Sequence, residues 1–448
     1  MDIARNPRAY LLSIGPRQRS GEPAGIYSVC SSHPMVLEAA FDKAEADKSP
    51  LLVESTCNQV NQFGGYSGMT PADFAAYIYR MAEQAQFDPR GLMLGGDHLG
   101  PYVWRSEPAE SAMEKAETLV SDCVFAGYGK IHLDASMPLG DDNDRAISTK
   151  TSAERTARLC RAAELAAAQL DSQKDPPLYV IGAEVPTPGG SLATRENVPV
   201  SNPEEVAEFI HACRQIFTES GLEDAWTRVI AVVVQPGIDF GQHWVAPYDR
   251  PSAGALSEFH SRLPEAATYE IHATDFQTPQ GLWQMVADHF PLLKVGPCLT
   301  FAFREAVFAL DRIEQEWLAD RKSISPANIR QVLCDIMDAD PGHWHSHHRA
   351  ESASDWRVLF SYLDRVRYYW ARPELKNALS RLLENLGRKP VAPTLISQYL
   401  PEQYRAVAAD RLAADPASLI RHKIRGALLP YAAACRMTES GPQKNNLL

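Results

Sequence analysis

Histidines and carboxylates in this chain recur at the ends of short apolar segments. They are Asp97-His98, His132-Leu133-Asp134, Glu184 and His272-Ala273-Thr274-Asp275, with Glu54, Glu270 and Lys294 at matching places in other segments. Such a mixture serves two kinds of chemistry. Imidazole and carboxylate together bind a divalent ion such as zinc or manganese, and His98, Glu184 and His272, with Asp97 beside them, are the candidate ligands. Paired carboxylates in a partly dry pocket can be driven to different pKa values and so divide acid from base. Asp97, Asp134 and Glu54 are the candidates for that work. The spacing of all these groups is non-local, so each histidine has a second reading as a core residue satisfied by hydrogen bonds.

Non-local groups need a scaffold that gathers many strand ends. In the stretch Lys130-Ile131-His132-Leu133-Asp134-Ala135-Ser136, Ile131 and Leu133 fall on one face of a strand, and Lys130, His132 and Asp134 on the other. An apolar face turned outwards and a charged face turned inwards suits one stave of a barrel whose interior ends in chemistry. Strand signals span 25–30, 51–55, 92–96, 130–136, 179–185, 229–235, 269–274 and 293–296. Amphipathic helical stretches lie between them at 34–48, 70–86, 108–125, 152–170, 202–220, 255–263 and 278–290, with 303–319 after the last strand.

Eight strand-then-helix units predict an α/β fold, a TIM (β/α)8 barrel ringed by helices. A doubly wound open sheet is the alternative. It does not require eight such units, and no G-x-G-x-x-G follows the first strand. Thr70-Pro71-Ala72-Asp73 and Ser201-Asn202-Pro203-Glu204-Glu205 mark two helix starts, each with a capping side chain before a proline.

Active sites of this barrel sit at the C-terminal strand ends. Reading those ends adds Ser31, His132, Gln235, Asp275 and Lys294 as candidate ligand contacts. Polar strand ends also occur where a strand simply emerges into water. That bland reading weakens for Glu54, His132, Asp134, Glu184, Glu270, His272 and Lys294 as a set, because they share inward parity. Burying so many charges is costly without a ligand, a metal or mutual pairing. After the second strand, the loop from Asn58 to Met69 carries four amides, Asn58, Gln59, Asn61 and Gln62, followed by three glycines. It suits the hydroxyls of a sugar, with a structural turn as the alternative; Asn58, Gln59 and Gln62 are the contacts expected from it. Gly296 and Thr300 end the eighth strand and open a helix, where barrels often hold a phosphate on free N–H groups.

The net charge of −12 disfavours nucleic acid and anionic membranes as partners. Eight scattered cysteines without a C-x-x-C pair read as free thiols in a reducing compartment. With no apolar leader and no run of about 18 apolar residues, the expectation is a cytoplasmic protein. The chain divides into a lead-in (1–24), the barrel (25–320), a helical extension packed on it (321–440) and a frayed tail (441–448). In the extension, 364–370 and 396–401 are candidates for closing the barrel mouth. Arg365 or Arg367 is the expected phosphate contact, with plain aromatic packing as the other reading of Tyr368, Tyr369 and Trp370. The run His343-Trp344-His345-Ser346-His347-His348 reads as an exposed turn rather than a metal site.

Several of these segments, in this order, resemble the GatZ/KbaZ (AgaZ) family associated with class II tagatose-1,6-bisphosphate aldolases. The resemblance rests on Ser28-Val29-Cys30-Ser31-Ser32-His33-Pro34, on 58–66, on Gly95-Gly96-Asp97-His98-Leu99-Gly100-Pro101 and on 130–136. It continues through Glu184-Val185-Pro186, Val234-Gln235-Pro236-Gly237, Lys294-Val295-Gly296-Pro297, 367–370 and 397–401, and it covers nearly the whole chain. It implies a barrel with a role in galactitol, tagatose or N-acetylgalactosamine catabolism and a phosphorylated ketohexose as ligand.

Members of that family include subunits that support a separate class II aldolase, tagatose 6-phosphate 4-epimerases and proteins named tagatose 6-phosphate kinases. The kinase role is not expected, because no P-loop or comparable glycine-rich ATP cradle occurs. The expected role is a metal-assisted epimerase, with an interaction subunit for a class II aldolase as the alternative. Oligomeric state stays open, a homo-oligomer included.

Overall fold

The computed structural model describes residues 5–142, 147–171, 174–182, 198–264, 266–319, 321, 323–345 and 352–437. Eight parallel strands close into a barrel in chain order. They are β1 (Ile26–Val29), β2 (Leu51–Thr56), β3 (Leu92–Leu99), β4 (Lys130–Asp134), β5 (Leu178–Gly182), β6 (Val229–Val233), β7 (Thr268–Ile271) and β8 (Leu292–Val295). The last strand returns to the first in the register Ile26–Leu292 to Val29–Val295. The open-sheet alternative is thereby excluded. Strands buried on both faces read as near-continuous aliphatic runs, as in Val229-Ile230-Ala231-Val232-Val233, buried throughout.

Helix starts follow local chemistry. Thr70 and Asp73 cap Pro71–Gln84 reciprocally, and Asn202 accepts from the Glu204 N–H at 2.8 Å. Two helices begin earlier than their periodicity predicts. Thr149–Ala167 is capped by Ser148, which accepts from the Thr151 N–H at 3.0 Å. Pro297–Leu318 starts at its proline, whose fixed φ is already helical.

The expected lead-in is itself a helix, Pro7–Arg19. It buries Tyr10, Leu11 and Ile14 and lies against β3, β6 and β7. Beyond the barrel the described chain is helical. Its final helix, Pro416–Ala434, enters the outer ring between Pro34–Asp47 and Pro279–Ala287 and packs along Pro297–Leu318. Leu419, Ile420, Ile424 and Leu428 are buried there. Tyr431 reaches the barrel top, where its hydroxyl donates to the Thr274 carbonyl at 2.8 Å. Trp344, expected in an exposed turn, is buried, its indole N–H donating to the Met337 carbonyl. No helix among the described residues is long and apolar enough to cross a membrane. Glu184 with Val185-Pro186, His347, His348 and the tail lie outside the described residues.

Candidate active site

The barrel interior is ionic where hydrocarbon is usual. Glu54 on β2, Lys130 on β4 and Glu270 on β7 are wholly buried, and Lys294 on β8 nearly so. Lys130 Nζ lies 2.7 Å from Glu54 Oε1 and 2.6 Å from Glu270 Oε2. Lys294 pairs with Glu54 and stands 3.1 Å from Asp97 Oδ1. Two ammonium groups thus meet three carboxylates, and mutual pairing compensates the inward charges. Gly95 makes room for this lattice: a Cβ there would lie 2.8 Å from the Glu54 side chain. Burial draws the Lys294 ammonium down to about 8. Burial pushes the Glu270 carboxyl up, but Lys130, His272 and His132 together outweigh it and take it down to about 2.

Above this layer runs a chain of hydrogen bonds. Asp134 Oδ2 meets His98 Nδ1 at 2.9 Å, His98 Nε2 meets His272 Nδ1 at 3.0 Å, and His272 Nε2 meets Glu270 Oε1 at 3.1 Å. Both carboxylates accept, so three bonds on two rings require three protons and the pair of rings holds one positive charge. The two rings differ in environment. Burial opposes a charge on His98, but Asp97 and Asp134 overcome it and raise the ring above its ordinary value. Burial prevails at His272 and lowers it. The two environments therefore favour the shared proton on His98 over His272. Asp97 is buried too, yet His98 and His272 hold its carboxyl well below the usual carboxylate range.

Backbone strain aims His98. Its φ is +48°, and the β3–β4 register shifts between Gly96 and Leu99. A left-handed non-glycine residue costs on the order of 1–3 kcal/mol and persists only where its surroundings impose it. The next turn makes the approach possible, since a Cβ on Gly100 would lie 1.7 Å from the Asp134 carbonyl oxygen. Gly100→Ala is accordingly expected to push β3 from β4 and lower stability by about 2–4 kcal/mol, as overpacking against backbone does. Urea unfolding followed by circular dichroism measures it.

A cavity of about 450 Å³ opens over these groups. Ser31, Asn58, Gln59, Asp97, His98, His272, Asp275, Lys294, Gly296, Thr300 and Arg367 line it. Glu54, Asp134 and His132 lie beneath or behind the lining. His132 Nδ1 accepts from the His98 N–H at 3.1 Å, and its Nε2 is buried without a hydrogen-bond partner.

Other expected contacts are engaged elsewhere. Gln235 Oε1 holds a turn by accepting from the Gly237 and Ile238 N–H groups. Gln62 donates to the Lys115 carbonyl, and Asn61 braces its own loop through Cys57, Phe63 and Gly65. The amide-rich loop is thus part turn and part lining. The donors at the eighth strand are taken as well. Asp275 Oδ1 accepts from the N–H groups of Gly296 and Cys298 at 3.1 and 2.8 Å, and Thr300 Oγ1 donates to Asp364 at 2.6 Å. The donors expected to hold a phosphate at Gly296 and Thr300 are thus engaged within the chain in this structure.

Of the two segments expected at the mouth, only the first arrives. Tyr368 accepts from Arg367 at 2.9 Å and from Arg365 at 3.1 Å, and its ring packs edge-on against Tyr66. Trp370 borders the cavity, whereas Tyr369 turns away to donate to the Asp340 carbonyl. The segment 396–401 is remote, and Tyr399 bonds Glu316 on the surface. Sequence reasoning missed Lys376, Tyr77 and His33 as lining residues. His33 had a signal, in the strand-end run Cys30-Ser31-Ser32-His33. Lys376 sits in an ordinary amphipathic helix, Pro373–Gly387, and had none.

Asp97, His98, His132 and His272 each offer a donor atom within 4.8 Å of the others, so one divalent ion can be held among them. The unpartnered His132 Nε2 fits such an ion. A closed parallel barrel with buried imidazoles and carboxylates at its C-terminal strand ends defines the class, a (β/α)8-barrel protein with a metal-capable polar centre. Residues 11–436 match the family described as D-tagatose-1,6-bisphosphate aldolase subunit GatZ/KbaZ-like, and the chain belongs to it.

The chain is similar to a crystal structure described as a "probable tagatose 6 phosphate kinase" from Sinorhizobium meliloti 1021. The two are 38% identical with a TM-score of 0.83, over 92% of this chain and 100% of that one. Weaker likenesses reach the YdjI aldolase from Escherichia coli K12, at 11% identity and TM-score 0.41 over 84% of this chain and 96% of that one. Fructose-bisphosphate aldolase from Campylobacter jejuni gives 12% and 0.43 over 84% and 94%.

Proposed function

We propose that the protein is a metal-assisted enzyme of ketohexose 6-phosphates that epimerises D-tagatose 6-phosphate at C4 to D-fructose 6-phosphate in galactitol and tagatose catabolism. The observation that carries this reading is the run Asp134–His98–His272–Glu270, with Asp97 beside it, at the floor of a cavity of about 450 Å³. His98 and His272, with His132 as third donor, would hold zinc or manganese; Glu184, the other ligand expected from the sequence, remains a proposal. Bound there, the ion supplies Lewis acidity to ketose oxygens that gain negative charge.

The hydrogen on C4 is not alpha to the C2 carbonyl, so inversion needs carbon–carbon cleavage. Of the three acid–base candidates Asp97 alone lines the cavity, and it takes the C4 hydroxyl proton. The C3–C4 bond breaks, its electrons pass to the C2 carbonyl, and an enediolate of dihydroxyacetone parts from glyceraldehyde 3-phosphate. The aldehyde turns over, the enediolate carbon re-adds to its other face, and Asp97 returns the proton to the C4 oxygen. Asp134 orients His98, and Glu54 holds Lys294 beside Asp97. Ser31, Asn58 and Gln59 are the contacts for sugar hydroxyls, and Arg367 is the contact for the phosphate.

The relative's kinase name is not carried over, because the chain has no G-x-x-x-x-G-K-[ST] sequence. The experiment is metal removal. Dialysis against dipicolinate is expected to abolish turnover of tagatose 6-phosphate, and zinc or manganese to restore it. Full activity in a protein shown by elemental analysis to be metal-free contradicts the reading.

The family description, an aldolase subunit, supports a second reading in which the chain stabilises a class II aldolase. Co-elution of the two purified chains, with a longer half-life of the aldolase activity, supports that role; independent elution opposes it.

A further inference from the structure

Barrels of this kind hold a phosphate on free backbone N–H groups where the loops after the seventh and eighth strands meet a helix N-terminus. Here that cradle has a resident. Asp275, three residues past His272, is only 3% exposed. It turns its carboxylate onto the Gly296 and Cys298 N–H groups, the opening of the long helix Pro297–Leu318. The loop that carries it is held in an uncommon conformation, with φ of +54° at Ala273 and +62° at Phe276. The final helix braces it, Tyr431 donating to the Thr274 carbonyl, while Thr274 bonds the Lys294 carbonyl. A strained, doubly braced loop that delivers a carboxylate to two N–H donors is a built feature. The remaining donor at this turn, Thr300, is committed to Asp364. The cations that the segment after the barrel brings to the cavity are Arg367, which also donates to Tyr368 and to the Leu363 and Asp364 carbonyls, and Lys376.

We propose that Asp275 is an internal substitute for phosphate, so that the sugar end seated against β7 and β8 must be unphosphorylated and the substrate class is the ketose monophosphate rather than the bisphosphate. This inference rests on the ketohexose-phosphate reading above and adds to it the residue that keeps the other end free of an ester. A second phosphate would meet both an occupied cradle and a like charge, which disfavours it.

The test is direct binding to the full chain by calorimetry, with fructose 6-phosphate, fructose 1,6-bisphosphate and inorganic phosphate as probes. Wild type is expected to prefer the monophosphate by about tenfold or more. Asp275→Ala is expected to abolish that preference and to gain a site for inorganic phosphate. Asp275→Asn, of the same size, covers the case in which the alanine variant does not fold. It loses the charge and keeps an oxygen for the N–H groups, and should narrow the preference by about threefold. Equal or tighter binding of the bisphosphate by wild type overturns the proposal, as does an unchanged preference in the folded variants. If wild type binds neither sugar, the ketohexose reading falls. Inorganic phosphate then decides alone: a site gained in Asp275→Ala, or in Asp275→Asn if alanine does not fold, supports the substitute role, and none gained overturns it.

Discussion

Asp97→Asn is expected to lower turnover of tagatose 6-phosphate by about 10²–10⁴-fold, the range for losing a positioned acid–base group. The change is nearly isosteric, and the side chain stays beside His132 Nδ1, 3.3 Å away. The fold should therefore stay close to wild type, and metal content should fall less than in His98→Ala, because an amide oxygen remains at the Asp97 position among the four donors. The charge matters for two neighbours. Lys294 loses its 3.1 Å partner, and His98 and His272 lose the anion that faces them. His98→Ala is the contrast: it is expected to lose the ion as well as activity, because it removes a donor. Elemental analysis of both variants separates the two effects. Turnover above about a tenth of wild type in Asp97→Asn would leave the base role without support.

Lys130→Met is expected to be the most damaging single change to stability, at about 3–5 kcal/mol, the usual cost of breaking a buried ion pair from one side. Lys130 is wholly buried and joins Glu54 to Glu270 at 2.7 and 2.6 Å, so its loss leaves two buried carboxylates to share Lys294. Adding Glu54→Gln removes the excess charge, and the double variant should recover part of the loss. Urea unfolding of the two single variants and the double closes the cycle. If Lys130→Met costs under about 1 kcal/mol, the lattice does not hold the barrel as described.

The scaffold was legible in the chain because inward parity leaves a periodic trace. All eight strands begin within one residue of the places where the alternation puts them. The charged strand ends followed from the same parity: once Lys130 and Asp134 share a face, Glu54, Glu270 and Lys294 must meet them inside. What stayed hidden depends on contacts between strands. The flipped backbone of His98 arises from a register shift against β4, which no local pattern announces. Asp275 was readable as a polar strand end, but not as the occupant of donors twenty-one residues later in the chain.

Amide side chains misled for a related reason. Gln62 and Gln235 have the right chemistry for a sugar, and both are used to tie backbone. The helix Pro7–Arg19 was passed over because its apolar residues serve the barrel floor rather than a repeating unit. The arginine-bearing segment was found through guanidinium chemistry, while 396–401 shared only its aromatic character and lies elsewhere.

Carbon NMR of tagatose 6-phosphate incubated with the protein alone tests the central claim most directly, with zinc, manganese or magnesium added in separate samples. The account predicts growing signals of fructose 6-phosphate that vanish with EDTA and in Asp97→Asn. No conversion with any metal, for this ester or the bisphosphate, would contradict the enzyme reading and leave the aldolase-subunit role as the account of this chain.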